Sequence, residues 1–297
     1  MKNTTTPFSF AAGARAARAA LQWRLLLLWV LWMLIPSAIV GLTLWQTLST
    51  QLDYSVHAGA IARQLDMTVF ADLMAAHGKN AAGFSNATIL ALAATLLIAP
   101  LLSGMAVTAA RFDGAPGFRT LTAGGLSEYP RMLRMLLWSV IPLGVAAALG
   151  GMAIDAADEY AASAILESSA DMAGYAALAL TALLLALAHA TLDAGRAALA
   201  IERRRTSAVK AWWSGCKLLA RRPLATFGAY FLISAVGLGL AAALAIGRIN
   251  VSGASLAGFI AALLLVQVTV AVLGWMRSAR LFALVALARS QRAIAVY

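Results

Sequence analysis

The stretch LLLLWVLWMLIPSAIVGLTLWQTL, residues 25–48, runs for 24 residues without a charged side chain. A helix rises about 1.5 Å per residue, and about 20 apolar residues cross the ~30 Å hydrocarbon layer of a bilayer. The apolar side chains are continuous instead of alternating every second residue, and lipid offers an open strand edge no partner, so the stretch reads as a spanning helix. Five more stretches have the same character: Thr88–Ala110, Met135–Ile154, Ala173–Asp193, Leu224–Ile246 and Ala257–Met276. The predicted fold is therefore all-α, a polytopic membrane protein of six transmembrane helices, in which Pro36, Pro100 and Pro142 are tolerated as kinks.

Composition agrees. Of the 297 residues 62% are hydrophobic and 12% charged, whereas a soluble domain carries about 25% charged residues. The single Cys216 excludes a disulfide framework and any cysteine-rich metal site, and three histidines leave little for other metal chemistry, so no cofactor is expected. The first apolar run follows a basic leader, as a signal peptide does. It continues through Trp45 without a small-residue cleavage site, well beyond a signal core of about 7–15 residues, and reads as a retained signal anchor.

Lys and Arg set the expected orientation. The N-terminal arm, the second and fourth connections and the tail hold 20 of the 23 basic residues, and the other side holds Arg63, Lys79 and Arg248. Both termini are thus expected in the cytoplasm. Basic residues that flank spans on one side follow from topology and do not indicate nucleic-acid binding; the expected partners are the bilayer and its anionic headgroups.

Comparing the chain with itself suggests duplication. Gly104 and Gly195 close the second and fourth spans at an offset of 91 residues, and Gly124 and Gly215 follow at the same offset. Phe10, Gly13, Arg18 and Arg24 precede the first span much as Leu121, Gly124, Arg131 and Arg134 precede the third. Gly274 and Arg277 close the sixth span as Gly195 and Arg196 close the fourth. One integral membrane domain, residues 1–297, is then expected to contain three parallel helix-plus-hairpin modules at about 8–110, 116–200 and 206–290. Parallel repeats related by an axis along the membrane normal leave a seam in which transporters commonly bind ligands. The alternative is the ordinary similarity of membrane helices rich in small residues.

Phe118–Arg134 and Ala208–Arg222 read as amphipathic helices at the membrane surface. In the latter, Trp212 and Trp213 stand among Lys210, Lys217, Arg221 and Arg222, the candidate contacts for anionic lipid. The tail from Ser278 has a similar mixture. These segments serve either as anchors or as docking surfaces for a membrane or cytoplasmic protein partner. Residues 49–86 read as an extracytoplasmic helical cap, with Ile61, Leu65, Val69 and Leu73 forming an apolar stripe. Asp155, Asp158, Glu159, Glu167 and Asp171 read as solvated loop acids.

The residues Pro100-Leu-Leu-Ser-Gly104, Arg111, Gly117-Phe118, Gly124-Gly125 and Arg131-Met-Leu-Arg134 leading into a span resemble a bacterial pattern. It is that of the YciC-like and glycerophosphodiester phosphodiesterase membrane-domain group of polytopic proteins. The resemblance covers about residues 90–290 and implies a helical bundle in the bacterial inner membrane. It implies no catalytic residues.

There is no Walker A loop, no dinucleotide fingerprint after a strand and no His-Glu-x-x-His motif, so an enzyme is not the favoured class. Trp213-Ser-Gly-Cys216 lies in a basic segment without a nearby histidine, and His57 and His77 read as surface residues of the cap. Near the end of the fourth span, however, His189, Asp193 and Arg196 share one helix face. Ionisable groups at membrane depth are costly and are paired or functional, which makes these three the candidate polar site. The structural reading is an Asp193–Arg196 pair with His189 bonded to a neighbouring span. Gln267 and Thr269 suggest interhelical hydrogen bonding. Two functions compete: a transport or lipid-handling, permease-like component, and a non-enzymatic structural or assembly protein of an envelope complex. A polar cavity reaching His189 favours the former, and a dry bundle the latter.

Overall fold

The computed structural model describes residues 10–52, 81–112, 114–204, 206–251 and 255–295. Most of the expected cap, with His57 and His77, lies outside these residues. The described residues form eight helices: α1 (Phe10–Ala19), α2 (Trp23–Leu52), α3 (Ala81–Arg111), α4 (Phe118–Ser163), α5 (Glu167–Ile201), α6 (Ala208–Arg221), α7 (Pro223–Ile249) and α8 (Leu256–Ala295). The long helices α2, α3, α4, α5, α7 and α8 each contain an apolar window long enough to cross a membrane. The chain is an all-α, multi-pass membrane protein.

Proline interrupts none of the long helices. Pro36, Pro100, Pro130 and Pro142 lie inside continuous helices. Pro223 instead opens α7 at its first position, where a missing N–H costs nothing. As a result Phe118–Arg134, expected as a separate surface helix, is the first third of the 46-residue α4. Ala208–Arg221 is a separate helix, ended by the break at Arg222.

The bundle is packed asymmetrically. Nearly all large buried side chains, among them Leu25, Trp29, Leu102, Met105, Leu121, Met135, Leu192 and Leu199, gather at the end that carries the arginines and the short helices α1 and α6. Toward the opposite end, contact is made through Ala87, Ala91, Ala146, Ala157, Ala177 and Ala262, while Leu178, Val236, Leu238, Phe259, Leu263 and Leu264 face outward. This is the pattern of a protein dissolved in lipid: small residues bring backbones together, and large apolar ones need not hide from the solvent. There Thr181 of α5 donates a hydrogen bond to the Gly150 carbonyl of α4 at 3.2 Å. Thr269, expected to bridge helices, bonds to Leu265 of its own helix.

The residues after Ser278 also differ from expectation. Ala279, Leu281, Phe282, Ala283, Leu284, Val285 and Leu287 are all buried, so this stretch of α8 belongs to the core and not to the membrane surface. α8 touches α1, α2, α3, α5 and α7. Trp275 donates from its indole Nε1 to the Ala17 carbonyl of α1 at 2.9 Å.

Glycines set the closest helix crossings. A methyl group on Gly215 of α6 would stand 2.5 Å from the Gly195 nitrogen and 2.9 Å from the Thr191 carbonyl oxygen of α5. On Gly125 of α4 it would stand 3.1 Å from the Leu101 carbonyl oxygen of α3. Leu101–Gly125 and Thr191–Gly215 are both 24 residues apart, so the same crossing recurs at an offset of 90 residues. Gly124, which the 91-residue offset matches to Gly215, faces the side chain of Thr108 instead.

Gly215→Ala should therefore force α5 and α6 apart, an overpacking that costs about 1–3 kcal/mol. A thermal melt in detergent is expected to show a lower midpoint for this variant and no loss for Gly239→Ala, whose added methyl meets nothing within 4 Å. Equal midpoints would mean that the crossing yields freely.

Candidate functional site

Burying a carboxylate requires cations or donors from other elements. Asp193 is 7% exposed, and the bundle supplies such groups from two helices. On α5 itself, Arg196 donates to Asp193 Oδ1 at 2.5 Å and His189 Nδ1 lies 3.5 Å from Oδ2. From α8, Arg280 Nε also lies 3.5 Å from Oδ2. Neither contact at 3.5 Å is a hydrogen bond, which leaves Asp193 Oδ2 and Arg280 Nε buried without one.

The groups around this centre are themselves held. Arg280, 6% exposed, donates through Nη1 to the Ser234 hydroxyl of α7 at 3.1 Å. Its guanidinium carbon lies 4.8 Å from the centroid of the Tyr230 ring. The Tyr230 hydroxyl is 2.9 Å from His189 Nδ1, and Ser234 donates to the Tyr230 carbonyl at 2.6 Å. Arg277 stands one helical turn from Arg280, exposed, with its guanidinium carbon 6.0 Å from the centre of the Trp29 ring. His189, Asp193 and Arg196 thus do share a face, and both contacts of the structural reading are present. Arg277, Arg280, Tyr230 and Ser234 escaped the sequence reading. The available signal was the apolar run continuing beyond Arg280, from Leu281 to Leu287, which marks helix interior.

His189, Asp193, Arg196, Arg277 and Arg280 line one end of a cavity of about 230 Å³, and Tyr230 and Ser234 stand behind them. Trp29 of α2, Ser103 and Ala106 of α3, Leu136 and Ser139 of α4, His189 to Arg196 of α5 and Arg277 to Leu281 of α8 bound it. All three expected modules therefore contribute a wall. The lining includes Thr95 as well as Ala106, eleven residues apart on α3, so the cleft extends roughly 16 Å along the bundle at 1.5 Å per residue. One end is polar; Leu96, Ala99 and Leu143 make the other apolar.

A second polar cluster closes the arginine-rich end. Glu128 of α4 accepts from Arg111 at 2.6 Å and from Arg131 at 2.5 Å. The same two arginines donate to the carbonyls that end α5: Arg111 Nε to Ala200 at 2.7 Å, and Arg131 Nη2 to Leu199 at 2.9 Å and Glu202 at 2.6 Å. Carbonyls in a last helical turn lack intrahelical donors, and positive charge there also meets the negative end of the helix dipole. Arg289 of α8 does the same for Ala110 of α3 at 3.2 Å.

The candidate lipid contacts lie elsewhere, on α6. Ala208, Ala211, Gly215, Leu218 and Leu219 form its buried face, while Lys210, Trp213, Lys217 and Arg221 are exposed and Arg222 is half-buried. The ammonium of Lys217 stands 6.0 Å from the Trp213 ring centre. Burial pushes the Cys216 thiol above its ordinary value, so it stays protonated at neutral pH and supplies no activated nucleophile. Among the described residues no three His, Cys, Asp or Glu side chains are grouped to hold a metal ion. Comparison with protein-family models, with curated proteins and with solved structures finds no match to this chain.

Asp193→Ala should strand Arg196 and Arg280, and breaking a buried pair costs about 3–5 kcal/mol. A clear loss of folded protein after heating in detergent is expected, partly recovered in the double variant Asp193→Ala/Arg196→Ala. An unchanged melting curve for the single variant would show that the carboxylate holds nothing in place.

Proposed function

We propose that this protein is a transport or lipid-handling component of the bacterial inner membrane, with both termini in the cytoplasm. The observation that carries the reading is the polar cavity beside His189, at a seam to which all three modules contribute. A bundle with only a structural task gains nothing from a polar space of about 230 Å³ among apolar spans, since each ionisable group at membrane depth is costly. The recurring Leu101–Gly125 and Thr191–Gly215 crossings support duplication as the origin of that seam. The resemblance to the YciC-like group accords with the same membrane and architecture. In this arrangement α6 rests on the cytoplasmic leaflet, where Lys210, Lys217, Arg221 and Arg222 grip anionic headgroups, each basic residue contributing about 1 kcal/mol.

Assembly into an envelope complex is the second reading. The dry, large-residue core at the arginine-rich end favours it, because that core gives the short helices a fixed platform.

Two experiments test the proposal. With Cys216 replaced by Ser, an impermeant maleimide added outside spheroplasts should label Ser163→Cys and leave Thr206→Cys unlabelled; the reverse pattern would refute the orientation. In vesicles of phosphatidylcholine carrying a trace of acyl-labelled fluorescent phosphatidylglycerol or phosphatidic acid, the protein should speed transfer of the tracer between leaflets, followed by dithionite quenching. Transfer no faster than in protein-free vesicles would leave the assembly reading in possession.

A further inference from the structure

The cavity beside Asp193 is unbalanced in charge. Arg196, Arg277 and Arg280 line it, and Asp193 is the one acid in its lining. Arg196 is committed to Asp193 through a 2.5 Å bond. Arg280 is 3.5 Å from the other carboxylate oxygen, and its buried Nε has no hydrogen-bond acceptor among the described residues. Arg277 stands nearer the apolar part of the cleft, against the Trp29 ring. Counting the arginines and the aspartate, three positive charges meet one negative charge in a wall whose other members are His189 and apolar or hydroxyl side chains. At membrane depth such an excess calls for a counter-anion.

The cleft limits which anion fits. A volume of 230 Å³ holds roughly seven waters at ~30 Å³ each, enough for a phosphate group and its glycerol. Its continuation past Leu96, Ala99 and Leu143 is apolar and suits the start of acyl chains. We infer that this cavity receives the phosphate of a phosphatidic-acid-like monoester lipid, with Arg277 and Arg280 as its ligands. Guanidinium groups pair with phosphate oxygens through two parallel N–H bonds. A monoester carries about −1.5 to −2 charges at neutral pH, which matches the surplus of two; a zwitterionic headgroup does not. Asp193 then acts as a positioning residue: it fixes Arg196 and keeps Arg280 turned into the cavity.

The inference deepens the lipid-handling reading and rests on it, but binding and movement are measured apart. The binding measurement is native mass spectrometry of the purified full-length protein in detergent, titrated with phosphatidic acid, with phosphatidylcholine and with inorganic phosphate. Phosphatidic acid is expected to bind at least tenfold more tightly than phosphatidylcholine, and millimolar phosphate to compete only weakly. Arg280→Gln should weaken phosphatidic acid binding at least tenfold. Arg277→Gln alters an exposed side chain, so it preserves folding and should show the same direction of change. Arg248→Gln, at the exposed far end of α7, should bind as wild type does.

Unchanged binding in Arg277→Gln and a folded Arg280→Gln would overturn the assignment, as would equal binding of the two lipids. Inorganic phosphate that displaces the lipid fully at equal concentration would overturn the lipid as ligand in favour of a free anion. Tight phosphatidic acid binding by a protein that transfers no lipid between leaflets would uphold this inference and remove the transport reading. Transfer that persists when both arginine variants bind normally would do the opposite.

Discussion

A helix that ends inside a membrane protein leaves its last carbonyls without donors, and at the arginine-rich end of this bundle those donors are side chains of other helices. Arg111 and Arg131 hold the end of α5, Arg289 holds the end of α3, and Glu128 keeps the first two arginines paired. Because α3 and α4 supply the donors for α5, and α8 supplies the donor for α3, satisfying the ends of two helices ties four together. The dense core gathers where these bonds are made, and the spans pack through alanine and glycine away from them.

The polar cavity depends on the same framework. Its walls are stretches of helix a few residues from the clasped ends: Ser103 and Ala106 on α3, His189 to Arg196 on α5, Arg277 to Leu281 on α8. Held in place by the arginine contacts and by the Gly195–Gly215 crossing, these stretches do not collapse on each other. The space between them is filled by ionisable side chains and solvent-sized volume instead of by leucines. Stability at one level and an unfilled site at the next are two results of one arrangement.

The spans were legible because hydrocarbon thickness imposes a length and a composition that few other constraints imitate. His189, Asp193 and Arg196 were legible as one face of α5 because helical spacing is a local property. Their partners were not. Arg280 reads as one more basic residue of a tail, and only the burial of Leu281 to Leu287 places it in the core. Tyr230 and Ser234 reach the centre through the packing of α7 on α8, a long-range fact that no local pattern encodes. Glu128 and Arg131 belong to the segment read as a surface helix for a related reason: the break expected between Arg134 and the third span does not occur, and α4 runs through both unbroken.

That unbroken helix has a mechanical meaning. At about 1.5 Å per residue, the 46 residues of α4 make a rod about 69 Å long, against about 40–45 Å for a whole bilayer with its headgroups. One continuous strut thus carries Glu128 and Arg131 near one end, the cavity wall at Leu136 and Ser139 along its length, and Asp155, Asp158 and Glu159 toward the other. A rod of this kind transmits tilt. A rotation imposed on its far end thus reaches the cavity wall and the clasp that anchors α5 through one helix, with Pro142 the point between them where a backbone hydrogen bond is missing.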